Sequence, residues 1–324
     1  MHASAFARAF RRAWIFLVIG LLVDVSAGAA APFAKTQAPG YFRAQVGAFE
    51  VTALFDGGGR TDPKLLHADV ARINQWMARD FSDANNIRGA VAAFLVNTGK
   101  QLILVDAGTG GNWGGSALGH LVENMKVSGY TPDQVDLVLV THLHADHVGG
   151  ILLPDGGPAF KNAVVRVAKP DSDFWLSEEV AKNAPKEAQE FFTLARAAAA
   201  PYVKAGRWQT FVGAQQLAEG VKARPIVGHT PGHTGYEFTS EGQTLLVWGD
   251  VVHAATVQLP HPEVGIDYDI DGPNAIKARQ ELFADLAAKG TLVGGAHMPF
   301  PSLGRVRRDG DGYAWVPVIY RAAP

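Results

Sequence analysis

The sequence predicts an α+β protein built in four layers, two β-sheets face to face with helices outside (αββα). Strand signals come in runs, with helical patterns interspersed after each run, which is the order such a sandwich requires. Both halves of the chain show strands followed by a helix, although no internal repeat is strong enough to mark a duplication. No proline- or serine-rich linker divides the chain after its leader, so one domain is expected over residues 31–324.

In the first half, Phe49 to Phe55 alternates near period two and runs into an Asp56-Gly57-Gly58-Gly59 turn. Val91 to Val96 and Gln101 to Val105 flank Asn97-Thr98-Gly99-Lys100, a hairpin signal. Leu118, Leu121 and Met125 share a helical face. Val135 to Val140 is a short apolar run of the kind that is buried on both faces. Helices are expected over Ser172 to Lys182 and Lys186 to Ala200. Strand signals return at Ala223 to Val227, Tyr236 to Thr239 and Thr244 to Trp248. A helix follows at Pro273 to Ala288, then strands at Thr291 to Gly295 and Tyr313 to Tyr320. Arg305 to Arg308, broken by Val306, reads as a solvated turn.

The 324 residues are 48% hydrophobic and 19% charged, enough apolar material for a large core. A net charge of −2 without a polybasic cluster gives no field that would draw the chain onto nucleic acid. The absence of cysteine removes disulfides, thiolate metal sites and cysteine nucleophiles together. Arg8, Arg11 and Arg12 precede an apolar run, Ala13 to Val23, and small residues from Ser26 to Ala31. That pattern is a secretory signal peptide over residues 1–30. An uncleaved anchor is the alternative, but the run is short of the roughly 20 residues that span a bilayer. The expected location is periplasmic or secreted in a bacterium, with no stable membrane insertion after cleavage.

The chemistry is concentrated in Thr141-His142-Leu143-His144-Ala145-Asp146-His147, directly after the buried run. His142 and His144 are two apart, so an extended backbone points them the same way. Asp146 and His147 come after the chain turns and can address a second point. Packed histidines beside an apolar strand would repel on protonation, and a cation removes that problem because it takes neutral imidazole and ionised carboxylate. A second cluster is Gly228-His229-Thr230-Pro231-Gly232-His233, in which either histidine could be a ligand and the other could support it. Asp250 and His297 each end an apolar run. Beside two histidine clusters, Asp250 fits a carboxylate bridging two metals and His297 the missing ligand of the second. Nitrogen and carboxylate donors without sulfur suit two divalent ions, zinc first, with manganese, iron or cobalt as alternatives.

The order HLHADH, GHTPGH, a strand-end aspartate and a late histidine resembles the metallo-β-lactamase superfamily. That resemblance implies one metal on His142, His144 and His229, another on Asp146, His147 and His297, and Asp250 between them. It leaves His233 in support, and Asp106 of Asp106-Ala107-Gly108 matches the family's supporting aspartate. Ala38-Pro39-Gly40-Tyr41, Asp173 to Ser177, Pro201 to Gly206 and Gly312 to Val318 are similar to the methyl parathion hydrolases and their relatives that open aryl lactones such as dihydrocoumarin. This closer resemblance implies an aromatic entrance at Trp113, Trp175 and Phe191. Each of these could equally be core, although Trp113 among glycines suits a mouth. The organophosphate hydrolases of the group carry an apolar residue three positions after the bridging aspartate, where this chain has His253. A histidine there narrows the pocket, contacts substrate or braces Asp250, and favours a lactone or ester.

The expected reaction is therefore attack by a hydroxide bridging the metals on a lactone or aryl ester, with Asp250 and His253 as the catalytic carboxylate and imidazole. The expected partner is a small molecule. Organophosphate triester hydrolysis comes next, then β-lactam hydrolysis. A periplasmic metal-binding module is the non-enzyme alternative, set against the complete ligand set. The resemblance also leaves a homodimer open, with no sequence feature marking an interface.

Overall fold

The structure, a computed structural model, describes residues 31–82 and 87–321. The expected signal peptide at 1–30 lies outside them. Residues 31–39 carry no regular secondary structure, and the fold is built by the unit that begins at Ala38. Among the described residues no helix is long and apolar enough to cross a membrane.

Two seven-stranded sheets make up the two inner layers. The first runs in order β1 (Tyr41–Val46), β2 (Phe49–Thr61), β3 (Ile87–Asn97), β4 (Leu102–Val105), β5 (Leu137–Val140), β6 (Val164–Ala168) and β7 (Trp208–Phe211). It is antiparallel as far as β4 and parallel from β4 to β7. The second contains β8 (Gln216–Ala218), β9 (Val221–Pro225), β10 (Thr234–Ser240), β11 (Gln243–Val247), β12 (Leu292–Gly294), β13 (Leu303–Asp309) and β14 (Gly312–Pro317), with β11 and β12 its one parallel pair. The helices are α1 (Val70–Arg79), α2 (Leu121–Val127), α3 (Ala145–Val148), α4 (Lys169–Trp175), α5 (Glu178–Asn183), α6 (Gln189–Lys204), α7 (Ala255–Gln258) and α8 (Gly272–Lys289).

Period-two alternation sorts the strands into layers. Val51, Phe94, Val96, Ile103, Leu137 and Leu139 face Val221, Tyr236, Phe238, Leu245 and Val247 between the sheets. The alternate residues Leu95, Leu104, Val138, Val140 and Val165 pack outward against Met125 of α2, Trp175 of α4 and Phe192 of α6. On the other side, Leu246, Trp248 and Val293 pack against Leu282, Phe283 and Leu286 of α8. β5 is thus buried on both faces, as its uninterrupted LVLV predicts. Register is enforced where one face is wet. In β9, a one-residue slip would expose Val221, costing about 1.5–3 kcal/mol, and would drive the Lys222 ammonium into the core.

Several expectations are corrected. β2 does not stop at a turn after Phe55 but continues to Thr61 through a bulge at Asp56. The bulge turns the buried Asp56 carboxylate onto the N–H groups of Thr109, Gly119 and Leu121 and the Thr109 hydroxyl. Arg305 to Arg308 form no turn. They lie in β13, with Val306 facing the α8 layer and Arg305 and Arg307 exposed, a period-two pattern masked by the arginines. The helix expected over Ser172 to Lys182 breaks into α4 and α5, because the Ser177 hydroxyl accepts the Val180 N–H and starts a new helix. Leu118 is buried ahead of α2 rather than on it. α6 continues past Ala200 through Pro201. An interior proline costs about 3 kcal/mol. The ring that follows, Tyr202, is fully buried and donates its hydroxyl to Ile151 O while accepting the Phe160 N–H. Burying a tyrosine offsets that cost at roughly 25 cal/mol for each of some 150–250 Å². The final strand ends at Pro317 rather than Tyr320. β1, β6, β7, β8 and α1 have no counterpart in the sequence reading.

Candidate metal centre

The ligand-bearing segments leave the carboxyl ends of β5, β11 and β12 and the β9–β10 loop, so a rigid frame brings them to one edge of the sandwich. After β5 the chain stays extended through His144, which has φ −70 and ψ 156, then turns into the single turn of α3 that carries Asp146 and His147. The 3-10 turn that follows, Gly149–Ile151, packs against the strand-end loop after β4 so closely that a Cβ on Gly150 would lie 1.9 Å from Ala107 O.

Every residue predicted to hold metal arrives at this edge. His142 Nε2 and His229 Nε2 each lie 3.0 Å from His144 Nδ1. Asp250 Oδ2 stands 3.6 Å from His142 Nε2 and 3.4 Å from His229 Nε2. Beside this first seat, His297 Nε2 is 3.5 Å from Asp146 Oδ2, and His147 Nε2 is 3.7 Å from the same oxygen. Asp250 faces both seats, with Oδ1 3.0 Å from His147 Nε2 and Oδ2 3.1 Å from His297 Nε2. Four donors about 2.0–2.1 Å from a tetrahedral ion stand roughly 3.3–3.4 Å apart, and these spacings bracket that value.

His144 turns Nδ1 inward, and supporting groups fix the inward nitrogen of the other four ligand rings. Asp106 Oδ2 faces His147 Nδ1 at 2.9 Å, and Asp269 Oδ1 faces His229 Nδ1 at 2.9 Å. Ala90 O faces His297 Nδ1 at 2.8 Å. Thr141 donates its hydroxyl to Asp106, so its free lone pair meets His142 Nδ1 at 3.0 Å. Each Nδ1 must then carry the proton, and each Nε2 lone pair points into the seat. His147 Nε2 and Asp250 Oδ1 are both buried without a hydrogen-bond partner. Lone pairs aimed at one another and at carboxylate oxygens repel unless a cation lies between them, so the donor set fits two divalent metal ions.

Without metal, protons take the cations' place. Burial disfavours charge on every ring. For His147 the carboxylates of Asp250, Asp146 and Asp106 outweigh it and hold the pKa well above the usual value. For His229, hydrogen bonds to Asp250 and Asp269 outweigh it and lift the pKa to about 9. Burial and the neighbouring rings push His142 and His144 far down. Burial would raise the Asp250 carboxyl, but His147, His297 and His142 hold it well below the usual range.

His233 stays in support. It bonds Ile226 O through Nδ1 at 2.8 Å and accepts the Asp250 N–H through Nε2 at 2.9 Å, so it locks the aspartate's backbone. Asp106 adopts φ 60, a strained conformation for a residue with a side chain, and its carboxylate fastens Thr141 and His147. His253 Nε2 lies 3.1 Å from Asp250 Oδ2, and its Nδ1 is buried without a partner.

Two carboxylates escaped the sequence reading. Asp171, in the first turn of α4, accepts the N–H groups of Leu143 and Gly232 and so joins the two histidine loops. Burial raises its pKa to about 6 against those bonds. Asp269, behind His229, sits in a loop with no motif of its own. An acid in a helix's first turn or in a loop is ordinary, and only the fold shows what either one touches.

Above the seats opens a cavity of about 320 Å³. Trp113, Trp175 and Phe191 line it, joined by Leu118, Val91, Tyr268 and Ile270. Trp113 and Phe191 are half-buried with ring centres 6.1 Å apart. Trp175 is both wall and core, since one edge meets the His144 ring and the rest packs on Phe192.

Comparison with known proteins agrees with this geometry. Residues 86–297 match the family described as the metallo-beta-lactamase superfamily. The hydrolase AbOPH, of the beta lactamase superfamily, is 37% identical over 89% of this chain and 100% of its own, with a TM-score of 0.84. AidC, a dizinc quorum-quenching lactonase solved in complex with a product, is 23% identical over 87% of this chain and 99% of its own, with a TM-score of 0.80. A quorum-quenching N-acyl homoserine lactone lactonase is 20% identical over 81% of this chain and 100% of its own, with a TM-score of 0.54. Family match, layered fold and convergent histidines agree: the chain belongs to the metallo-β-lactamase superfamily and is a metal-dependent hydrolase.

Proposed function

We propose that the protein opens lactones or aryl esters at two divalent cations, zinc in the first instance. One observation carries the reading: a floor of converging, buried histidine and aspartate donors meets a cavity whose walls are mainly apolar and aromatic. His142, His144 and His229 would hold one cation, Asp146, His147 and His297 the other, and Asp250 both. Bound there, the cations supply an activated water and polarise the substrate's carbonyl.

The chain's own residues do the rest. Asp106, Asp269, Thr141 and Ala90 O keep the ligand rings turned inward. Trp113, Phe191 and Leu118 bury the substrate's apolar part and exclude bulk water. His253, pressed against Asp250 and lining the cavity, narrows the pocket beside the floor. The products, a carboxylate and a phenol from an aryl ester or a single hydroxy acid from a lactone, then leave through a mouth bordered by Arg60 and Tyr268. The similarity of segments such as Pro201 to Gly206 to aryl-lactone hydrolases supports this substrate class. The leader at 1–30 supports a periplasmic or secreted location, which fractionation and amino-terminal sequencing of the exported protein would test.

One preparation assayed on dihydrocoumarin, an aryl acetate, a methyl phosphotriester and a cephalosporin ranks the candidate substrates. The lactone or aryl ester is expected to show the highest kcat/KM. A ranking with the lactone last overturns the proposal.

A further inference from the structure

We infer that Arg279 is a positioning residue for the first metal seat, acting on His229 through Asp269 from the buried face of α8. The inference rests on the metal centre proposed above.

Arg279 is one of the few charged side chains fully buried among the described residues, 1% exposed in the middle of α8. Its guanidinium collects three carbonyl groups of the segment that follows Asp250. Nε donates to Val251 O at 2.7 Å, and Nη1 donates to Pro262 O at 3.1 Å and Val264 O at 2.7 Å. Nη2 lies 3.7 Å from Asp269 Oδ2, an oxygen that accepts no hydrogen bond among the described residues. Asp269 Oδ1 faces His229 Nδ1. The backbone holds the same two loops together, because Ile270 N–H donates to His229 O and Asp271 N–H to Gly228 O.

One planar fork therefore ties the residue next to Asp250 and the carboxylate behind His229 to the same helix. Guanidinium geometry suits this task, since it presents five donors in a fixed plane where an ammonium presents a point charge. A buried arginine serving only to satisfy loop carbonyls would leave the cations indifferent to its replacement once the chain had folded. A positioning arginine would not. Groups that orient a metal-binding histidine typically change metal affinity about 10- to 100-fold when altered.

The test is chelator titration of the zinc-loaded full chain, with zinc counted per chain and folding followed by thermal melts of the chelated protein. Arg279→Lys keeps the charge and loses the fork, and Asp269→Asn keeps the shape and an acceptor for His229. Each is expected to weaken one of the two zinc ions by about 10- to 100-fold and leave the other within about threefold. The double variant should be no weaker than the weaker single, because the two residues act in series. Arg279→Gln takes the place of the lysine variant if that chain does not fold. Folded variants that hold both ions as the parent does overturn the inference, as do equal losses at both ions or losses that multiply in the double. A parent chain that binds no zinc overturns the metal centre itself and this inference with it.

Discussion

The floor and the mouth of the site share a cavity but are held in place differently. On the floor, the outward ring nitrogens of His142, His147, His229 and His297 each meet a carboxylate, a carbonyl or a hydroxyl, and the segments leave strand ends fixed by sheet pairing. At the mouth, Trp113 comes from a glycine-rich loop, Phe191 from α6 and Tyr268 from the loop before α8, and the ring contacts there are Trp113 against Phe191 and Tyr268 against His253. Directional bonds fix an angle, whereas apolar contact fixes only proximity. The floor should therefore fail sharply when altered, and the mouth should tolerate change and retune.

The largest effect is expected at the residue shared by both seats. Asp250→Asn removes a charged donor from two cations, and several kcal/mol of lost Lewis-acid stabilisation corresponds to a fall of at least about 10³-fold in kcat/KM. Steady-state kinetics with metal analysis would show it, and retained activity would break the contrast between floor and mouth. Next comes the packing beneath the floor. Gly150→Ala puts a methyl against Ala107 O and should cost about 1–3 kcal/mol or more, whereas Gly59→Ala at the mouth, with open space around it, should stay within about 0.5 kcal/mol. Denaturant melts of both variants compare the two regions directly.

A third expectation follows from charge. His229 titrates near 9 in the metal-free fold against about 6.5 unfolded. Its contribution to metal-free stability is thus complete below pH 6.5 and lost as pH rises through about 9. Chelated protein should lose melting temperature across that window relative to the zinc-loaded form, and parallel curves for the two forms would speak against it. The smallest effect belongs to the mouth. Phe191→Ala removes about 1 kcal/mol of aromatic contact, so KM should rise several-fold with kcat nearly unchanged. A matching fall in kcat would mean that the mouth, too, orients the reacting bond.

The same contrast explains what could be read without a structure. His142, His144, Asp146 and His147 lie within six residues after an apolar run, and His229, Asp250 and His297 each end a strand or open a loop, so local pattern was sufficient to find them. Asp171, Asp269 and Arg279 act through residues as far as 61, 40 and 28 positions away, and in sequence each looks like an ordinary helical or loop charge. The αββα layering followed from strand runs. β13 did not, because its single inward valine, Val306, sits between arginines that imitate a solvated turn. Tyr268 and Ile270 reach the cavity from a loop without periodicity, so no local signal placed them there.

The most direct test of the account is metal content against activity on a single purified preparation. Two equivalents of divalent metal per chain, with lactone or ester hydrolysis lost on chelation and restored by zinc, is the predicted result. A metal-free chain with full activity would contradict it.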